Sequence, residues 1–283
     1  MSRIAHKLMA ASGAGEDSYE IEQSLMFERT DTAKMHFTPS SSGNRRTFTW
    51  SGWYKRAKFD ESQMMWAAYG ANNNAGYNDF GIAGDAAGNE DCIGIGGWTS
   101  PGANVKTSRY LRDPSAWYHI MFVSDTTLAT EADRVKYYVN GVRETAIESS
   151  PLQYPAQNYD YPYNDTVVHV MGDAYYHVNA GSPVRGMNGY LAEVHIIDGT
   201  AKVPTDFGEF NETTGQWVPI EYEGDTASYG TNGGYYKFVA GALGTDSSGK
   251  GNNYTAVNLA DTDVMLDTPT NNFPTLNNLF GAG

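Results

Sequence analysis

The sequence predicts an all-β fold, a two-sheet antiparallel β-sandwich with a β-rich C-terminal extension. Three observations point there. From Ser24 onward apolar and polar residues alternate with a period of two. The short runs showing this pattern are separated by clusters of Gly, Asn, Asp and Pro. No segment carries a long amphipathic helix. Short strands with turn signals between them are the pattern of a sandwich or barrel, and 283 residues leave room for both sandwich and extension.

Residues 1–23 read as an attachment arm: small, polar and glycine-containing, with a weak helical stretch around Ile4 to Ala11. The sandwich is expected over 24–200. Its strands are predicted at Ser24–Arg29, Thr47–Arg56, Met64–Tyr69, Trp117–Ser124, Arg134–Asn140, Thr166–Gly172 and Tyr190–Asp198. In the Trp117 strand, Trp117, His119, Met121 and Val123 face one way and Tyr118, Ile120 and Phe122 the other. Both faces are largely apolar, so this strand is predicted to be central and covered on both sides. Val135, Tyr137 and Val139 share a face of the next strand, opposite Lys136 and Tyr138. Asn140-Gly141 follows at once and supplies the positive φ angles of a type I′ hairpin turn. Trp50, Trp53, Trp66 and Trp117 are assigned to the core. Phe48 and Trp50 share a face but Trp53 breaks the parity, which predicts a bulge near Gly52.

Two stretches read as loops. Ser149–Asp165 holds three prolines and four tyrosines, and proline blocks a regular ladder. Gly70–Asp79 is rich in Asn and Gly. The extension, 201–283, is turn-rich and expected to pack on the sandwich or on a neighbouring chain. Its one short helix candidate is Pro204–Phe210, with proline near the start.

Composition excludes several function classes. Lys plus Arg number 19 against 33 Asp plus Glu, a net charge of −14. An acidic chain without a basic tract opposes nucleic-acid binding, which needs cations on phosphates, and docking on anionic lipid. No apolar run approaches the roughly 20 residues of a helical membrane span. The apolar stretch near the start, Leu8–Ala11, is too short for a secretory signal, so export without one, or retention, is expected. One cysteine, Cys92, forbids an internal disulfide framework and a cysteine zinc cluster. It alternates with Ile93 and Ile95 and is read as buried and inert.

The run Asp113–Val142, with Trp117, His119, Tyr138, Val139, Asn140 and Gly141, resembles laminin-G-like (concanavalin A-like) domains. Gly186–Gly199 (GMNGYLAEVHIIDG) is similar to that family's closing strand, and the resemblance spans about 24–200. It implies a jelly-roll sandwich. It does not fix a function, because this superfamily includes lectins, glycosidases, adhesion modules and structural domains. SSSGNRRTFTWSGWYKR, RDPSAWYHI, FGEFNETTGQWVP and LGTDSSGKGNNYTA resemble stretches of structural proteins from tailed phages of marine bacteria. That implies a virion component assembled in the host cytoplasm and released by lysis. The arm would attach to other virion proteins, and a homo-oligomer, by expectation a trimer, would form.

The glucan-degrading branch of the superfamily carries Glu-x-Asp-x-x-Glu on one strand. Here Glu193-Val-His195-Ile-Ile-Asp198 stands in its place, with His195 for the central Asp and Asp198 for the last Glu. Retaining hydrolysis needs carboxyl groups about 5–5.5 Å apart. Residues at i and i+5 of a regular strand point to opposite faces, and only a bulge changes that. No catalytic residue is therefore assigned. Val194 and Ile196 are expected in the core, with Glu193 and His195 on the outer face.

Calcium, which wants six to eight oxygens, has weak candidates at Asp160, Asp165 and Asp246; no other cofactor is implied. Contact with a host-surface polysaccharide, or with another virion protein, is expected at Tyr154, Tyr159, Asp160, Tyr161, Tyr163 and Asn164, and at Asn73, Tyr77 and Trp98. These combine aromatic faces for sugar rings with polar groups for hydroxyls. The expected function is a non-enzymatic virion surface protein, in a tail fibre or capsid-surface decoration. The alternatives are a purely architectural cement protein and a glycan depolymerase.

Overall fold

A computed structural model describes residues 19–59, 61–69, 77–83, 91–96, 103–149, 152–174 and 185–272. In chain order the strands are β1 (Ser24–Phe27), β2 (Lys34–Phe37), β3 (Thr47–Arg56), β4 (Gln63–Tyr69), β5 (Tyr77–Ala83), β6 (Cys92–Gly96), β7 (Val105–Tyr110), β8 (Trp117–Asp125) and β9 (Val135–Val139). There follow β10 (Val142–Arg143), β11 (Val168–Met171), β12 (Gly189–Asp198), β13 (Gly208–Phe210), β14 (Trp217–Pro219), β15 (Gly234–Tyr236), β16 (Thr255–Val257) and β17 (Val264–Met265). One sheet has the order β10-β9-β8-β3-β12-β1-β17, with β15 also on β12. The second has the order β16-β2-β11-β4-β5-β6-β7, and β13 and β14 form a separate ribbon. All pairings are antiparallel, so the predicted two-sheet sandwich is what the chain adopts.

The alternation read from the sequence decides which faces meet. Tyr118, Ile120 and Phe122 of β8, and Val135, Tyr137 and Val139 of β9, enter the inter-sheet core with Phe48, Trp50 and Tyr54 of β3. Phe80 and Ile82 of β5 and Ile93 and Ile95 of β6 face them. Rings fill this space edge to face: Phe48 lies 5.5 Å from Phe122 and 5.9 Å from Trp66. Each such side chain contributes roughly 1.5–3 kcal/mol through burial, and edge contacts add to that. The hairpin turn is as predicted, with φ of 49° at Asn140 and 77° at Gly141. Cys92 is fully buried, and burial pushes its thiol up to about 11, which makes it a poor nucleophile at neutral pH.

The outer face of the first sheet is a second apolar layer. Ile21, Trp53, Trp117 and Ala192 form one cluster there; Met121, Val123, Ile197, Phe207 and Tyr229 form another. β8 is thus covered on both sides. The two-faced hydrophobicity of β3, β8 and β12 reflects a cover built from residues 19–21 and from the chain beyond Thr200.

Four expectations are corrected. β3 pairs with β8 without interruption from Thr47 to Lys55, so there is no bulge at Gly52. Trp53 follows normal parity and faces outward; it is the outer cover that buries it. Trp53 and Trp117 accordingly belong to the outer layer rather than to the central core. The short helix expected at Pro204–Phe210 starts at its proline as anticipated but is a 3-10 helix confined to Pro204–Asp206, after which the chain enters β13. The Gly70–Asp79 loop ends earlier than expected, because Tyr77–Asp79 already belong to β5.

Three histidines are interred as neutral rings. Burial lowers His119 and His195 to about 3 and His169 to about 4, from 6.5. The unfolded chain binds these protons below about pH 6.5 and the folded chain does not, so stability is lost as pH falls through that range. Asp79, raised to about 6, opposes this only from its own range downward, as do the raised Glu193 and Asp198. Acidification from about pH 7.5 to about pH 6 is expected to cost about 2 kcal/mol. Thermal unfolding at the two pH values measures it, and the drop should shrink in His195→Gln.

Candidate functional site

The site grows from an irregularity in β12. Along one edge the strand pairs throughout with β3. Along the other it pairs with β1 over Gly189–Leu191 and with β15 over Val194–Ile196. Between these partners the register shifts, between Ala192 and His195, and Glu193 takes a left-handed φ of 48°. This is a β-bulge: the extra residue puts two successive side chains on one face. Leu191 and Val194 both enter the core, while Ala192, Glu193 and His195 lie on the outer side.

Glu193 is 8% exposed, and its buried carboxylate requires donors. The hydroxyl of Tyr19 donates to its Oε1 at 2.6 Å, and that of Tyr235 donates to the same oxygen. Burial raises the Glu193 carboxyl, and these two bonds partly offset the rise. Tyr235 stacks on His195 with centroids 4.1 Å apart, and His195 Nδ1 lies 3.0 Å from the Tyr229 hydroxyl. Above this network is a hollow of about 340 Å³, lined by Tyr19, His195, Tyr222, Tyr229 and Tyr235, with Glu221 and Asp225 at its edge. A larger groove of about 1030 Å³ shares Tyr19, Glu221 and Tyr222 and runs past Asp206, Glu209 and Glu223. Aromatic rings and hydroxyls mark the hollow, while the groove joins carboxylates to an apolar stretch of Val218, Pro219, Ile220 and Pro269.

Asp198 lies at the far end of β12. Its Oδ1 accepts from the Asn44 backbone N–H at 2.7 Å, and its Oδ2 from those of Asn232 and Thr231 at 2.9 and 3.2 Å. Gly43 and Gly230 press so close that a Cβ on either would overlap Asp198. The bulge does exist, but it places Glu193 in the tyrosine network and leaves Asp198 as a backbone anchor. Five residues of extended chain, about 16 Å, separate the two, far beyond the spacing of a retaining pair. Val194 and Ile196 are in the core and Glu193 and His195 on the outer side, as expected.

The tyrosine loop is not the exposed contact surface that its prolines suggested. Tyr161 and Tyr163 are fully buried and Asn164 is 1% exposed. Tyr163 stacks on Trp66 at 4.0 Å and donates to the Trp66 carbonyl at 3.1 Å. Tyr161 packs edge-on to Phe48 at 5.4 Å. Asn164 donates to the Asn44 carbonyl, and its own N–H donates to His169 Nε2. Tyr154 and Tyr159 are half-buried against the same core. The loop is a lid over the open end of the sandwich, where rings replace the missing ladder.

The calcium candidates are engaged otherwise. Asp160 pairs with Arg46 at 2.7 Å and Asp165 with Arg45 at 3.1 Å. Asp246 accepts backbone N–H groups of Tyr235, Ser248 and Asn252. Among the described residues no three potential metal ligands cluster. Asn73 and Trp98 lie outside the described residues. Tyr77 is half-buried on the outer side of the second sheet, stacked on Tyr69 at 5.4 Å. Nearby Asp79 is raised to about 6 by burial, partly offset by Arg185 at 3.0 Å, and its Oδ1 has no partner.

Sequence reasoning missed Tyr19, Tyr222, Tyr229 and Tyr235. They sit singly in turn-rich stretches with no periodicity, and only the fold brings them together.

The family described as the concanavalin A-like lectin/glucanases superfamily matches residues 29–203. The chain belongs to this superfamily. Its laminin-G-like resemblance is thereby supported, and the tyrosine-lined hollow is built mostly from residues outside the matched span. Among solved structures, a Bacteroides ovatus ATCC 8483 protein proposed to bind carbohydrate is similar over 84% of this chain and 58% of its own, with 15% identity and a TM-score of 0.52. A heptameric SAP-like pentraxin from Limulus polyphemus is similar over 66% of this chain and 80% of its own, at 14% identity and a TM-score of 0.46. Domains LG4-5 of the mouse laminin alpha1 chain are similar over 76% and 48%, at 10% identity and 0.44. These likenesses concern the lectin-like fold. No curated protein matches the sequence.

Two substitutions test these placements by urea unfolding. Tyr163→Ala is expected to cost about 3 to 5 kcal/mol, as for a core aromatic; a near-neutral effect would restore the exposed loop. Asp198→Ala is expected to cost at least about 3 kcal/mol, because three backbone donors lose their acceptor.

Proposed function

We propose that this chain is a non-enzymatic, lectin-like surface protein of a tailed-phage virion, in a tail fibre or a capsid-surface decoration. It binds saccharide, and the contact lies in the hollow and groove over the outer face of β12. The observation that carries this reading is the lining: Tyr19, Tyr222, Tyr229 and Tyr235 beside Glu221 and Asp225. Sugar rings offer apolar C–H faces to aromatic rings and hydroxyls to carboxylates and phenols. The acidic rim, which includes Asp206, Glu209 and Glu223, favours a neutral glycan over an anionic one unless a cation bridges. The superfamily membership and the proposed carbohydrate-binding relative agree with a binding role, and the phage-like stretches supply the virion context.

Attachment to other virion proteins would run through residues 1–18 of the N-terminal arm, which lie outside the described residues, because Tyr19 and Ile21 are packed against the sandwich. A homo-oligomer, by proposal a trimer, repeated over the virion would turn weak single sites into strong adhesion. Separation of Glu193 from Asp198 supports a binding module over a depolymerase.

A glycan array probed with the full chain, with and without calcium, tests this. Binding to neutral saccharides is expected, with Tyr222→Ala weakening it about tenfold, the worth of one aromatic contact. Binding that survives Tyr222→Ala would move the contact elsewhere. Absence of saccharide binding under both conditions would favour a purely architectural role.

A further inference from the structure

Lys55 lies on the outward face of β3, in register with Trp117 of β8 and Tyr190 of β12. Its side chain is 5% exposed. The Nζ contacts two groups of the C-terminal segment: Asp267 Oδ2 at 2.6 Å and Asn272 Oδ1 at 3.0 Å. Asp267 is itself held in place. Its Oδ1 accepts from Trp117 Nε1 at 2.8 Å, and its carbonyl accepts from Ser24 Oγ at 2.6 Å. A tight turn, with Thr268 and Asn271 bridged, brings Asn272 back beside it. Asn272 Nδ2 donates to the Ser115 carbonyl at 3.0 Å, so its amide is fixed with the oxygen toward the lysine. A primary amine, a carboxamide and a carboxylate thus meet beside Trp117 and Tyr190, with Lys55 and Asp267 largely out of water and Asn272 at the exposed edge. For an ion pair alone the carboxamide is unnecessary.

We propose that Lys55 and Asn272 form an intramolecular isopeptide bond, with Asp267 as the proton carrier. The carboxylate of Asp267 takes a proton from the Lys55 ammonium, leaving a free amine. Its nitrogen lone pair attacks Cγ of Asn272, and the protonated Asp267 gives its proton to Nδ2. The surplus proton left on the attacking nitrogen passes to the Asp267 carboxylate and on to the departing ammonia. The Nζ–Cγ bond forms, the Cγ–Nδ2 bond breaks and ammonia leaves. One amine and one primary amide become one secondary amide and ammonia, and no oxidant or cofactor is required. Holding the groups in contact supplies the orientation such an attack needs. The bond would fasten the C-terminal extension to the central strand of the first sheet, in a chain whose single cysteine cannot make an internal disulfide.

Mass spectrometry of the full-length folded protein tests this. After allowance for the initiator methionine, the intact mass should fall below the sequence mass by one ammonia. A digest should yield a branched peptide joining Lys55 to Asn272. The branched peptide is required, because a succinimide at an Asn-Gly pair loses the same mass. Lys55→Arg and Asn272→Ala should yield no branched peptide, and Asp267→Asn should lower the cross-linked fraction at least about tenfold. Wild-type protein at full mass after prolonged incubation at neutral pH would overturn the proposal. So would ammonia loss without the branched peptide, or loss of water with a branch at Asp267. The wild-type measurement decides the matter even if the variants fold poorly.

Discussion

The rest of the molecule depends on how β12 changes partners. One edge of this strand serves β1 in its first half and β15 in its second. A regular strand would carry its alternation through that junction. The extra residue at Glu193 resets it, so that Leu191 and Val194 both reach the core. The cost is a left-handed backbone at a non-glycine residue and a carboxylate buried under the outer layer. Both are tolerated because Tyr19 and Tyr235, from opposite ends of the chain, donate to that carboxylate.

That arrangement makes the outer face of the first sheet a structural interior. A lone sandwich would leave Trp53, Trp117, Met121 and Ile197 in water. Here the segment around Ile21 and the chain around Phe207 and Tyr229 cover them. The covering segments are irregular, so they cannot close as tightly as a sheet would. The seam they leave is the tyrosine-lined hollow. The candidate binding surface is thus a by-product of burying the second face.

Charge follows the same division. Several cations are spent in ion pairs within the fold: Arg56 with Asp91, Lys55 with Asp267, Lys34 with Asp173, and Arg45 and Arg46 with the tyrosine loop. Acids lie at the rim of the hollow and groove in excess over Lys202. If the proposed saccharide contact lies there, the net negative charge bears on the ligand as well as on solubility and favours neutral or cation-bridged partners.

Read along the chain, period-two alternation located seven of the strands (β1, β3, β4, β8, β9, β11 and β12), the residues sharing a face in them and the Asn140-Gly141 hairpin, because side-chain direction in a strand follows from local geometry. The Trp117–Gly141 and Gly186–Gly199 motifs determined the superfamily. The tyrosines of 154–163 looked like surplus because their prolines break the ladder. Only the tertiary structure shows that Trp66 and Phe48 lie open at that end of the sandwich and need rings to close it. The hollow was likewise invisible, since Tyr19, Tyr222, Tyr229 and Tyr235 share no spacing and meet only where β12 exchanges β1 for β15. Local pattern specifies which way a side chain points; which distant segment it meets there is set by packing.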